Sequence, residues 1–210
     1  MSGSVSATLP RKKLVPIVLA GGLLAAGVLA ASTTGTLGGF VATITNGTNT
    51  AASGVLTMRA ASSDGTVTCD STDGGGVSVN SATCSTLDEF GGSTTLIPGQ
   101  SLKTTVAITN SGSVTAQAFS LTAGDCAQSN NGAVNGSATD MCGMGLKIVS
   151  GGTTLYDGTL AGFKASPVNL SALAAGSSQS FDFTVTIPSS AGNGYQGLKA
   201  SLPLTWTFNS

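Results

Sequence analysis

The sequence predicts an all-β fold, a two-sheet antiparallel β-sandwich preceded by an N-terminal apolar helix that acts as a signal segment. Three observations predict it. From Phe40 onward, apolar residues alternate with polar ones in short runs broken by Gly, Ser, Asn and Asp, which is the pattern of half-buried strands joined by turns. Charged residues are only 8% of the chain, so Ser, Thr, Asn and Gly supply the polar surface, and Thr favours a pleated strand over a helix. Four cysteines fall in two close pairs, Cys69 with Cys84 and Cys126 with Cys142, as in a disulfide-bonded exported domain.

The amino terminus comes first. Arg11, Lys12 and Lys13 precede an apolar run from Leu14 to Ala30, which ends in the small residues Ala30, Ala31 and Ser32. That order of charge, apolar run and small residues predicts a secretory signal peptide over 1–31, cut by signal peptidase. A retained membrane anchor is the alternative, against which Pro16 and the paired Gly21 and Gly22 weaken a spanning helix. Cleavage removes three of the eight basic residues and none of the nine acidic ones, leaving five against nine. The remaining cations, Arg59, Lys103, Lys147, Lys164 and Lys199, are scattered singly, so no basic stripe exists for a nucleic-acid ligand.

The mature chain, 32–210, reads as one domain. Phe40, Ala42 and Ile44 share one face of a first strand within 36–45, and Val55 to Met58 and Thr66 to Cys69 form the next two. The clearest strand is Ser101 to Asn110, with Leu102, Val106 and Ile108 inward and Lys103, Thr105 and Thr109 outward. Val114 to Ala123 is expected to return as its partner, bringing Phe119 and Leu121 into the core. Leu146 to Val149 and Thr153 to Asp157 read as a hairpin over a glycine turn, with a further turn at Asp157 and Gly158. Ser180 to Ile187 alternates Phe181, Phe183, Val185 and Ile187 with polar residues. The last strand is expected over Leu198 to Phe208, its inward face ending in Leu204, Trp206 and Phe208, with Pro203 forcing an edge or a bulge.

Catalytic chemistry finds little to work with. The chain has no histidine, which removes the usual general base and the commonest metal ligand, so neither an enzyme nor a cofactor is implied. The cysteine spacings are too wide for a zinc site, and pairing of neighbours would close two loops of about 15 residues, each worth about 3 kcal/mol. Asp70 and Asp73 before three glycines lack the ligand spacing of a calcium loop, and Asp88 with Glu89 is the only adjacent acidic pair. Asn46, Asn135 and Asn169 match the short glycosylation acceptor pattern. Trp206, Phe208 and Tyr195 could make an aromatic glycan platform, although inward packing of the first two is the expected arrangement.

Three groups of residues are similar to the TasA and camelysin family of secreted Gram-positive proteins. They are Phe40, Val41, Ala42, Thr43 and Ile44 followed by an Asn/Thr turn; a Pro-Gly-x-Ser strand from Pro98 to Gly112; and Asn193, Tyr195, Gln196 and Gly197 before the last strand. The resemblance implies a jelly-roll-like sandwich at the cell surface or in the extracellular matrix, polymerising with itself by donating an N-terminal strand to its neighbour, with other surface or matrix proteins as further partners. The metalloendopeptidase label carried by camelysin gains nothing from a chain without histidine. Two expectations follow. One is a fibre subunit whose strand 36–45 adds to another copy's sheet edge. The other is a monomeric surface adhesion or glycan-binding module.

Overall fold

The computed structural model describes residues 52–210, so the signal segment and the strand expected over 36–45 lie outside the described residues. Within them, every strand pairs antiparallel. A six-stranded sheet has the order β2-β1-β3-β9-β6-β7, built from β1 (Met58–Ser62), β2 (Thr68–Asp70), β3 (Ser101–Asn110), β6 (Gly145–Ser150), β7 (Thr153–Thr159) and β9 (Ser178–Thr186). A three-stranded sheet has the order β11-β4-β8, from β4 (Ala118–Ala123), β8 (Val168–Leu170) and β11 (Leu204–Asn209). β5 (Ala127–Asn130) pairs with β10 (Leu198–Ser201). One four-residue helix, α1 (Leu160–Phe163), starts at Thr159, whose hydroxyl accepts from the Gly162 N–H.

β3 and β9 form the centre because their alternation is longest. Val106 stands opposite Phe181 and Leu102 opposite Val185, so one face of the pair is mainly apolar, interrupted by Thr104 and Gln179. The other face is wet. Lys103 is ion-paired to Asp182 at 2.7 Å, and hydroxyl pairs Ser101–Thr186 and Thr109–Ser178 bridge the strands at the same distance. The core lies between this inner face and β4: the Phe119 ring meets Phe181 edge-on at 5.8 Å, and Trp206 of β11 lies 4.6 Å from Phe181. Leu146 and Ile148 of β6 and Leu160 and Phe163 of α1 are also fully buried. Leu204, Trp206 and Phe208 are only half-buried, less enclosed than their period-two pattern implies.

Several elements differ from the sequence reading. β4 does not pair with β3. Its path is set by Asn110, fully buried at the end of β3, whose Nδ2 donates to the carbonyls of Val114 (2.8 Å) and Leu173 (2.9 Å) while its Oδ1 accepts from the Gly112 N–H (3.1 Å). That amide turns the chain out of one sheet and into the other. Regular pairing in the first described strand starts at Met58 and runs to Ser62, because Val55 and Thr57 bond instead to the turn at Ser111 to Val114.

The expected final strand is two. β10 and β11 pair with β5 and β4 in one antiparallel ribbon that bends at Leu202 and Pro203, where the Pro203 carbonyl accepts from Gly124 at 2.9 Å. Proline has no N–H for the ladder, so the ribbon breaks there. Asp157 and Gly158 are not a turn but part of β7, Asp157 opposite Lys147 and ion-paired to it at 3.2 Å. Gly158 leaves room for Tyr156, whose Oη donates to the Thr159 carbonyl at 2.7 Å; a Cβ at Gly158 would come within 2.6 Å of that oxygen. The β6–β7 turn is the expected one, with Gly151 (φ 54°) and Gly152 (φ 80°) both left-handed.

Cys69 is bonded to Cys84 and Cys126 to Cys142, with sequence separations of 15 and 16. Neither loop encloses the other. The second bond ties the start of β5 to the turn at Met141–Gly143, where Met141 enters the core. Replacing both its cysteines by alanine is expected to lower unfolding free energy by about 3 kcal/mol, read as a lower urea midpoint with a steeper slope, because the uncrosslinked unfolded chain exposes more surface.

Candidate functional site

A cleft of about 720 Å³ opens between β1 and β2 of the six-stranded sheet and β11 of the three-stranded one. Leu56, Met58 and Ala60 line one wall, and Leu204, Trp206 and Phe208 the other. Ser71, Asn80, Ser81 and Thr83 give it a polar rim, and among the described residues no Lys or Arg lines it. β11 is paired with β4 on one side, and among the described residues no strand pairs with its other edge. The cleft is therefore a trough of mixed apolar and polar lining beside a row of backbone groups free, among the described residues, to bond to another strand.

The segment from Ser85 to Leu96 closes the far side. It has no regular structure, but Leu87, Phe90 and Leu96 pack on the core, and the Phe90 ring meets Phe183 edge-on at 6.4 Å. Glu89 accepts a hydrogen bond from the Trp206 indole Nε1 at 2.7 Å. Burial pushes the Glu89 carboxyl above its ordinary value; the indole hydrogen bond opposes the rise, and the charge of Asp88 adds to it. On the other side of this segment lies a second cavity of about 410 Å³, and Asp88, Phe90 and Leu202 line both.

The residues singled out in the sequence fall in different places. Asp70 is held by Arg59, which donates Nε and Nη2 to the two carboxylate oxygens at 2.8 Å and keeps that carboxyl below its ordinary value. Asp73 accepts from the Asp70 N–H at 2.8 Å, so the Asp70 carboxylate is taken up by β1 and the Asp73 carboxylate by the backbone beside it. Asn193, Tyr195, Gln196 and Gly197 do not line the cleft. They hold the second cystine loop: the carbonyls of Gly194, Gln196 and Gly197 accept from Ala138, Gly136 and Asn131 at 2.9, 2.6 and 2.7 Å. A hydrogen bond to Asp140 pushes the Tyr195 hydroxyl up, which ties that ring to the same loop and separates it from Trp206 and Phe208. Asn135 bonds within its own turn, donating to the Gly132 carbonyl at 2.7 Å, whereas Asn169 is exposed on β8. Phe40 to Ile44 and Asn46 lie outside the described residues.

Glu89 is the residue that sequence reasoning missed. Its only local signal is the adjacent pair with Asp88, while its partner Trp206 is 117 residues away.

The described residues define an antiparallel, disulfide-bonded all-β domain, and two disulfides indicate an oxidising, extracellular environment. No protein-family model matches the chain, and no curated protein matches it in sequence.

Proposed function

We propose that the chain is a secreted structural protein of a Gram-positive cell surface or extracellular matrix, a jelly-roll-like β-sandwich whose copies join into fibres by strand addition. The observation that carries this reading is the edge of β11, unpaired among the described residues, beside a cleft whose walls hold Leu56, Met58, Leu204, Trp206 and Phe208. A strand that bonds to that edge with apolar residues at every second position would place them against Met58, Leu204 and Phe208. Phe40, Ala42 and Ile44 supply that spacing. The similarity to the TasA and camelysin family in the same segment supports the same mode of assembly. Reach allows it: from Thr45 to Leu56, which already lines the cleft, the chain spans at most about 40 Å, enough for a strand to serve its own cleft or a neighbour's.

Negative-stain electron microscopy of the mature chain from Ala31, purified under oxidising conditions, tests this beside a version that begins after Thr45. Fibres are expected in the first and none in the second. Monomers in both at high concentration would exclude self-assembly. The adhesion reading has its own support in the half-exposed Trp206 and the hydroxyl and amide rim around it, and it predicts saturable quenching of Trp206 by a sugar.

A further inference from the structure

We infer that Ser85–Leu96 is a displaceable strap, latched to β11 by Glu89 and Trp206, that keeps the place an incoming strand takes. The inference rests on the strand-addition reading for what enters, and on the geometry alone for the strap. Among the described residues, no backbone-to-backbone hydrogen bond joins residues 85–96 to another element; the Gly91 N–H reaches only Asp88 within the strap. Among the described residues, the single hydrogen bond from the strap to the rest of the domain is the one between Glu89 and Trp206. The other contacts that hold it to the described residues are side-chain packing by Leu87, Phe90 and Leu96.

Its ends, by contrast, are fixed. Cys84 is bonded to Cys69 in β2, and just beyond Leu96 the Gly99 N–H donates to the Ile187 carbonyl at 2.9 Å. The strap can therefore lift between two anchors while the sheets stay paired. Cavities flank it on both sides and share Phe90, so lifting that one ring joins them into a single trough running from β1 past β11 to β10.

Acidity sets the latch. Among the described residues, the charged groups that line the cleft with Glu89 are Asp88 on the strap and Asp70 across the cleft, the latter paired with Arg59; β11 contributes only Trp206 and the hydroxyls of Thr205 and Thr207. A carboxyl raised by enclosure binds its proton more tightly in the closed form than in the open one. Closure is thus strongest below the ordinary carboxylate range and is lost as pH rises through the raised value. An acidic medium shuts the strap, and a neutral one loosens it for an arriving strand.

Trp206 is the only tryptophan, so acrylamide quenching of the full mature chain reads the opening directly. The quenching constant is expected to rise about two- to fivefold between about pH 4 and about pH 8. Glu89→Gln, which keeps an acceptor for the indole but carries no charge, is expected to flatten that rise and stay low, and Phe90→Ala to raise quenching at every pH. Fibre growth, followed by light scattering at neutral pH, is expected to be faster in Phe90→Ala and slower in Glu89→Gln. Quenching that is independent of pH in the wild type overturns the latch without any variant having to fold, and so does a pH rise of equal size in Glu89→Gln. Growth rates that ignore the variants while quenching responds overturn the strap's role in assembly. A wild-type chain that forms no fibre at any pH overturns strand addition, and with it the incoming strand, while quenching still decides whether the strap opens.

Discussion

Phe181→Ala is expected to destabilise the domain by about 4 kcal/mol, since deleting a buried phenyl ring removes its transfer free energy and leaves a cavity. Phe181 has no exposed surface, stands opposite Val106, and touches Phe119 and Trp206 at ring distances of 5.8 and 4.6 Å. Those two aromatic contacts join the central strand of the six-stranded sheet to β4 and β11, so their loss falls on the junction between the sheets. Domains of this kind have only about 5–15 kcal/mol in all, which makes the loss a large fraction. Urea unfolding followed by Trp206 emission measures it, with Phe181→Leu, expected to cost about 1 kcal/mol, as the volume control. A loss below about 1 kcal/mol for the alanine variant would mean that the junction is held elsewhere.

Asn110→Asp should cost almost as much, about 3 kcal/mol, although the two side chains have the same shape. Asn110 uses both amide hydrogens on carbonyls, those of Val114 and Leu173, and its oxygen on the Gly112 N–H. A carboxylate there would turn an acceptor toward two acceptors in a site without water access. Such a carboxyl would have its pKa raised in the fold, so stability would be recovered as pH falls and lost again as it rises. Thermal unfolding from about pH 3 to pH 8 separates this from simple loss of packing, because Asn110→Leu, which also lacks the donors, is expected to show no such recovery.

The strands that the sequence reveals are those whose alternation is long. Ser101 to Asn110 and Phe181 to Ile187 carry enough successive in-and-out residues to fix which side is buried. Alternation names a face and not a partner, which is why β4 could be recognised but not assigned to its sheet. That assignment rests on one buried amide whose acceptor at Leu173 is 63 residues distant. Pro203 marked a discontinuity in the last strand, but whether it would make a bulge or a bend between pairings depends on β4 and β5, not on its own neighbours. The cleft was the least legible feature. Its walls come from β1, β11 and the segment around Glu89, each unremarkable alone, and a carboxylate looks solvated until the fold encloses it.

The two disulfides have a consequence for how such a chain matures. Each links a cysteine to the next one along, 15 and 16 residues on, so the bonds are sequential and never interleave. In a polypeptide threaded through a membrane pore amino end first, Cys84 emerges when Cys69 is the only thiol already outside, and that pair can oxidise before Cys126 arrives. The two mispaired arrangements that four thiols allow are avoided by order of emergence alone. A chain exported in that order would form both crosslinks with an oxidant alone.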